Sequence, residues 1–152
     1  MRVLFVCTGN TCRSPMAEAY AARRFRLAGR PDLEARSAGC AADGGSPASS
    51  AAIDAMRELG IDLRNFRSTR LSESLIAEAD LILCMTGGHR RQVLFLMPEA
   101  AEKCRLLQES SDVPDPFGGG AAEYRAVLSA MLPALDGWID RLLATAPPKS
   151  PQ

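Results

Sequence analysis

Short apolar runs alternating with longer stretches of helical periodicity constrain this chain more than any other feature. Val3 to Val6, Leu33 to Ser37, Asp80 to Cys84 and Cys104 to Leu107 are too short for buried helices and read as strands. Between them lie segments with helix signals. Pro15 to about Ala28 closes on Gly29; Ser46 and Pro47 open a segment with Ile53 and Met56 on its inner face and Gly60 as its stop. The stretch from Gly39 to Ser46, rich in Gly, Ser and Ala, is expected to be loop. A helical turn is expected near Ser72 to Ala79, and Gly87-Gly88 should break the chain before a helix through Leu96. The last element is the plainest: Tyr124, Val127, Leu128, Met131, Leu135, Trp138, Ile139 and Leu142 recur at helical spacing, with a kink expected at Pro133. Strands separated by helices imply a parallel sheet covered on both faces, an α/β fold.

Length and composition set the bounds. At 152 residues and 47% hydrophobic content the chain fits one domain with a substantial core, spanning 1–145, followed by a disordered tail over 146–152 that holds three prolines. Neither a repeat nor an internal linker divides it. Eighteen basic and eighteen acidic residues leave no electrostatic footprint for nucleic acid or an anionic membrane. The N-terminal apolar run is too short for a secretory signal, and no stretch approaches transmembrane length. Five cysteines, an odd number, argue for a reducing compartment and against a disulfide framework, so a cytoplasmic protein is expected. A monomer or weak dimer is the expected assembly.

The junction of the first strand and first helix carries the chemistry. Cys7 ends the apolar run and is followed by Thr8-Gly9-Asn10-Thr11-Cys12 and then Arg13-Ser14-Pro15. A thiol with a reference pKa of about 8.5 needs positive potential to react at neutral pH. With Pro15 as the first helical residue, the loop amides and the positive helix end point back toward Cys7. Gly9 permits a positive φ and Asn10 tolerates one, so successive N–H groups can form an anion nest. Arg13 adds a planar fork that can grip two phosphate oxygens. Ser14 has two readings: a helix cap, or a donor to the Cys7 sulfur. Singly, each residue is ordinary, a buried cysteine or a Ser-Pro helix start. Together they describe a cradle holding a phosphate dianion against a thiolate.

The segment from Val6 to Glu18 resembles the signature of the low-molecular-weight protein tyrosine phosphatase family, and within it the bacterial protein arginine phosphatases. The resemblance continues through Ser37-Ala38-Gly39, Ala79 to Leu83, Met85-Thr86 with His89, and Asp115-Pro116-Phe117-Gly118-Gly119. It implies a three-layer fold around a four-stranded parallel twisted sheet. It also implies a cysteine-dependent phosphoprotein phosphatase working through a cysteinyl-phosphate intermediate. By the resemblance Cys7 is the nucleophile, Thr8 through Ser14 hold the phosphate, Arg13 clamps it, and Asp115 is general acid and then base. By residues alone Asp115, framed by Pro114 and Pro116, is equally a turn. No metal or cofactor is implied.

Thr11 bears on the substrate. Tyrosine-specific relatives usually carry a branched aliphatic residue there and arginine phosphatases a threonine, so phosphoarginine in proteins is the expected substrate and phosphotyrosine the alternative. Thr11 otherwise only satisfies a loop amide. Phe117 and Ala41 are expected in the substrate pocket. Cys12 is read as a redox partner for Cys7, or as mere packing beneath the loop. His89 is placed on the rim or helix surface beside Arg90 and Arg91, and Asp112 at the surface.

Two departures stand out. Phe66 occupies the place of a family histidine that supports the phosphate loop, so Ser37 or Ser68 is expected to support Asn10 and Ser14 instead. The aromatic residue usual after Ser-Ala-Gly is replaced by Cys40-Ala41-Ala42, which should leave an open rim. Other classes fit these residues less well. An arsenate reductase needs two closely spaced downstream cysteines, and Cys84 and Cys104 are too far apart in sequence to suggest them. A phosphotransfer carrier has little need of Arg13 with Asp115, and a non-catalytic phosphoprotein-binding module would dispense with the acid.

Overall fold

The computed structural model describes residues 1–150; the last two residues of the expected tail lie outside them. Four strands, β1 (Arg2–Cys7), β2 (Glu34–Gly39), β3 (Leu81–Cys84) and β4 (Cys104–Leu106), form one parallel sheet in the order β2-β1-β3-β4. The helices are α1 (Arg13–Leu27), α2 (Ser50–Glu58), α3 (Glu73–Glu78), α4 (Gly87–Leu96) and α5 (Ala121–Leu143). Residues 146–150 are exposed and carry no regular structure. Among the described residues no helix is long and apolar enough to cross a membrane.

Strand alternation sorts the core into two faces. Val3, Phe5 and Cys7 of β1 pack with α1, α2 and α5, while Leu4 and Val6 join Ile82, Cys84, Ile76 and Val93 on the side of α3 and α4. The three-layer arrangement expected from the alternating pattern is therefore present. β1 is central, with β2 on one side and β3 on the other. The chain turns one way after β1 and the other way after β2, which opens a crevice beyond the carboxyl end of β1, where ligands bind in folds of this kind. Cys7 is the last residue of that strand.

Several boundaries differ from expectation for local reasons. α1 begins at Arg13, so Pro15 is its third residue, still within the turn whose amides have no intrahelical acceptor. Ser14 is thus inside the helix and caps nothing. α2 begins at Ser50 rather than at Ser46-Pro47, because Ser49 is the residue whose side chain accepts from the Ala52 amide. Gly87 and Gly88 lie inside the first turn of α4 instead of breaking it. Thr86 accepts from the His89 amide while His89 Nδ1 accepts from the Thr86 amide, a capping box closed by histidine. A 3-10 turn over Pro98–Lys103 precedes β4. α5 is continuous through Pro133, which deletes one ladder bond without ending the helix; buried Met131 and Leu135 hold either side.

Candidate active site

Beyond β1, a cavity of about 260 Å³ is lined by Cys7, Thr8, Gly9, Thr11, Cys12, Arg13, Asp115 and Phe117. It thus gathers most of the residues singled out above. Asn10 and Ser14, fully buried, support it from behind. Ala41 is not part of the lining; it is exposed, and its amide donates to the Thr8 carbonyl. The cavity's mouth carries Phe117, which is 79% exposed.

The loop takes its shape from one residue. Asn10 has φ 55°, the only positive φ outside glycine among the described residues, whereas Gly9 does not use the left-handed region expected of it. The Asn10 amide then orients a chain of polar groups. The Thr69 backbone N–H donates to Asn10 Oδ1 at 2.8 Å, which fixes the amide flip and turns Nδ2 toward two serines. Nδ2 donates to Ser14 Oγ at 2.8 Å and to Ser37 Oγ at 2.9 Å. With its oxygen already accepting, Ser14 has its proton free for Cys7 Sγ, 2.8 Å away. On the other branch Ser37 donates to Glu18 Oε1 at 3.2 Å. Of the two serines expected to support the loop, Ser37 does so; Ser68 instead holds the Ser46 amide and the Asp43 carbonyl. The second of the two readings of Ser14 is the one its geometry matches.

Arg13 is 4% exposed and enters the cavity from the first turn of α1. Nη1 donates to the Val113 carbonyl at 2.9 Å, tying the loop to a segment a hundred residues later in the chain. Nη2 lies 3.7 Å from Asp115 Oδ2, and Nε is buried without a hydrogen-bond partner. Buried donors are rarely left so. One donor of the guanidinium fork therefore has no acceptor within the chain's described residues. Asp115 is half exposed, its other oxygen accepting from the Phe117 amide at 3.0 Å, which sets the carboxylate on the wall facing Arg13.

His89 corrects its expected place. It is 5% exposed, not on the rim, and Nε2 lies 2.8 Å from Thr8 Oγ1. Because the Thr86 N–H donates to Nδ1, the proton of the neutral ring sits on Nε2 and is given to Thr8. Burial first, and then the charge of Arg13, press the imidazole pKa down to about 4. Glu18 moves oppositely: burial lifts its carboxyl to about 7, opposed by the Ser37 hydrogen bond.

Cys12 lies beneath the loop with its sulfur 3.0 Å from Tyr124 Oη on α5 and 3.6 Å from Thr11 Oγ1. All five cysteines are free. Cys84 and Cys104, distant in sequence, are brought to 3.7 Å by the pairing of β3 with β4, so separation along the chain misjudged them as neighbours. They face the opposite side of the sheet from Cys7 and remain no relay for it.

Four participants have no role assigned from the sequence, although Glu18 and Gly39 lie in the matched motifs. Glu18 stands one helical turn after Ser14, and Tyr124 was counted only as core. Thr69 contributes backbone alone. Gly39 is indispensable for space: a Cβ there would fall 2.5 Å from the Thr8 carbonyl and 2.8 Å from the Asn10 amide nitrogen. His89 was visible three residues after Thr86, though the usual capping signal is Glu or Gln.

Residues 2–146 match the model of the low molecular weight phosphotyrosine protein phosphatase family. The chain is 38% identical to the protein-arginine-phosphatase of Geobacillus stearothermophilus, over 93% of this chain and 95% of that protein. It is 33% identical to the probable low molecular weight protein-tyrosine-phosphatase EpsP of Ralstonia solanacearum, over 93% and 96%. Among solved structures it resembles the YwlE arginine phosphatase C7S mutant with a phosphorylated active-site serine, with TM-score 0.89, 34% identity, and coverage of 95% and 97%.

Proposed function

The chain belongs to the low molecular weight phosphotyrosine protein phosphatase family, and from that premise we propose that it hydrolyses phosphoarginine in proteins through a phosphorylated Cys7. The observation that carries the chemistry is the partnerless Nε of Arg13, a residue that lines the same cavity as Cys7. A phosphoryl group seated there satisfies Nε and the loop amides of Thr8 to Ser14 and sits against the nucleophile. The phosphorylated serine of the YwlE mutant supports a covalent phosphoenzyme.

In the first step the sulfur attacks phosphorus, the S–P bond forms and the bond to the substrate nitrogen or oxygen breaks, while Asp115 supplies the proton that the departing group takes up. In the second, Asp115 accepts a proton from water, the water oxygen bonds to phosphorus and the S–P bond breaks. Ser14, donating to sulfur, stabilises negative charge on it before attack and on departure. Arg13 holds the equatorial oxygens in both steps, anchored by Val113.

Thr11 supports the arginine assignment. It lines the cavity and offers a hydroxyl where a guanidinium would pass, and two arginine phosphatases stand among the similar proteins. The exposed ring of Phe117 favours the second reading, phosphotyrosine, since an aromatic rim suits a flat ring. Turnover of phosphoarginine and phosphotyrosine peptides separates the two. The unmodified protein should prefer phosphoarginine, and Thr11→Ile should shift that preference by about tenfold toward phosphotyrosine. A native preference for phosphotyrosine defeats the assignment. With p-nitrophenyl phosphate, Cys7→Ser should abolish turnover and Asp115→Ala lower it by about 10²- to 10⁴-fold.

Cys12 we assign as redox partner. It shares the cavity lining with Cys7, and one peroxide equivalent takes two electrons from the pair to give a disulfide and two waters. The protein is assigned to the cytoplasm on its cysteine usage.

A further inference from the structure

A second, larger cavity of about 640 Å³ lies outside the chemistry, between α4 and the chain leaving β2. Gly88, Arg91, Gln92, Phe95 and Leu96 form its helical wall, at the i, i+3, i+4, i+7, i+8 spacing of a single face. Cys40, Arg70 and Leu71 form the other. None of the described residues covers this face: Phe95 is 86% exposed, the most exposed large apolar side chain among them.

Charge says what the groove fits. Arg70 and Arg91 both line it, neither forms an ion pair among the described residues, and no carboxylate lines it. Asp112, beside the head of α4, is engaged by the Gly87 amide at 2.9 Å. Two cations around an apolar floor complement a segment with acidic residues next to a bulky apolar one.

Position says whose segment it is. Thr8 separates the two cavities: it lines the phosphate cavity, its carbonyl accepts from Ala41, the residue after Cys40, and its hydroxyl accepts from His89, the residue after Gly88. A polypeptide with its phosphorylated residue over Cys7 therefore has the groove directly beside it. Resting on the phosphatase reading, we propose that this groove docks the flank of the phosphoprotein substrate, with acidic residues on Arg70 and Arg91 and an apolar side chain against Phe95 and Leu71.

The experiment measures kcat/KM on two sets of synthetic peptides, phosphoarginyl and phosphotyrosyl, each made with a Glu-Glu-Leu flank and with a Lys-Lys-Ser flank, alongside p-nitrophenyl phosphate. Wild type should favour the acidic flank by about tenfold, roughly the combined size of two charge contacts at a rim. Arg70→Glu with Arg91→Glu should reverse that preference and Phe95→Ser should remove most of it, all with p-nitrophenyl phosphate turnover unchanged. Turnover of p-nitrophenyl phosphate with no flank preference overturns the docking proposal alone. Variants that lose both activities equally overturn it too, since the groove would then serve the catalytic loop. Sedimentation showing a dimer that Phe95→Ser dissociates, with flank preference unaltered, gives the groove to a second copy of the chain and overturns it. A wild-type protein inert toward every substrate sinks the phosphatase reading and takes this proposal with it.

Discussion

A half-buried glutamate and a buried histidine flank the phosphate loop and pull stability in opposite directions with pH. Unfolded Glu18 loses its proton near 4.5 and the folded protein keeps it to about 7, so the native state holds more protons across that interval. Stability therefore falls as pH rises from 4.5 to 7, by on the order of 3 kcal/mol. His89 does the reverse. The unfolded chain takes up a proton below 6.5 and the folded one only near 4, so stability falls by a similar order as pH drops through that range. Between 4.5 and 6.5 the two largely offset each other. Separate variants expose them: Glu18→Gln should gain on wild type in urea melts as pH goes from 5 to 8. His89→Gln should gain on wild type as pH goes from 7 to 4.5. Profiles parallel to wild type would show that neither group titrates as described.

At the scale of elements, the end of β2 governs the phosphate loop. β2 pairs with β1 out to Gly39, opposite Cys7, and there its backbone touches the loop directly. Gly39→Ala forces a Cβ into the Thr8 carbonyl, so β2 or the loop must move. The expected cost is about 1–3 kcal/mol of stability, with p-nitrophenyl phosphate turnover reduced by about a hundredfold through misplacement of the nucleophile. Normal turnover in a folded variant would contradict it. The same junction shows what a sequence discloses. β1, the loop and α1 were legible because an apolar run, a nucleophile, Asn10 and Arg13 all follow one another. Ser37-Ala38-Gly39 was legible only as a motif, since its contact with the loop is a parallel pairing across the whole of α1. His89 was misplaced for the same reason: its partner Thr8 is distant in the chain, and two neighbouring arginines made its helix look like surface. The start of α2 was misread because Ser46-Pro47 imitates a cap that Ser49 supplies.

Across the whole molecule, the five thiols divide by layer. Cys84 and Cys104 are fully buried on the α3 and α4 side of the sheet, and Cys40 is pushed up to about 11, chiefly by burial and then by Cys7. Only Cys7 and Cys12 line the phosphate cavity. Peroxide treatment followed by alkylation and mass spectrometry should therefore yield a Cys7–Cys12 disulfide, reversible by dithiol, before any other crosslink. Over-oxidised Cys7 without that disulfide, or a crosslink through Cys40, would remove Cys12 from its role. The layering also explains why the fold class was readable while two supports of the loop were not: alternation along each strand assigns side chains to faces, but Val113 and Tyr124 reach the loop only when the chain's end closes over its beginning.

That closure orders events during synthesis. The nucleophilic loop leaves the ribosome roughly a hundred residues ahead of Val113, whose carbonyl holds Arg13 in place. A nascent chain thus displays the Cys7 thiol beside an arginine that nothing yet anchors, and the loop gains its last supports only when translation has delivered Val113 and then α5 with its tyrosine to the underside of the loop.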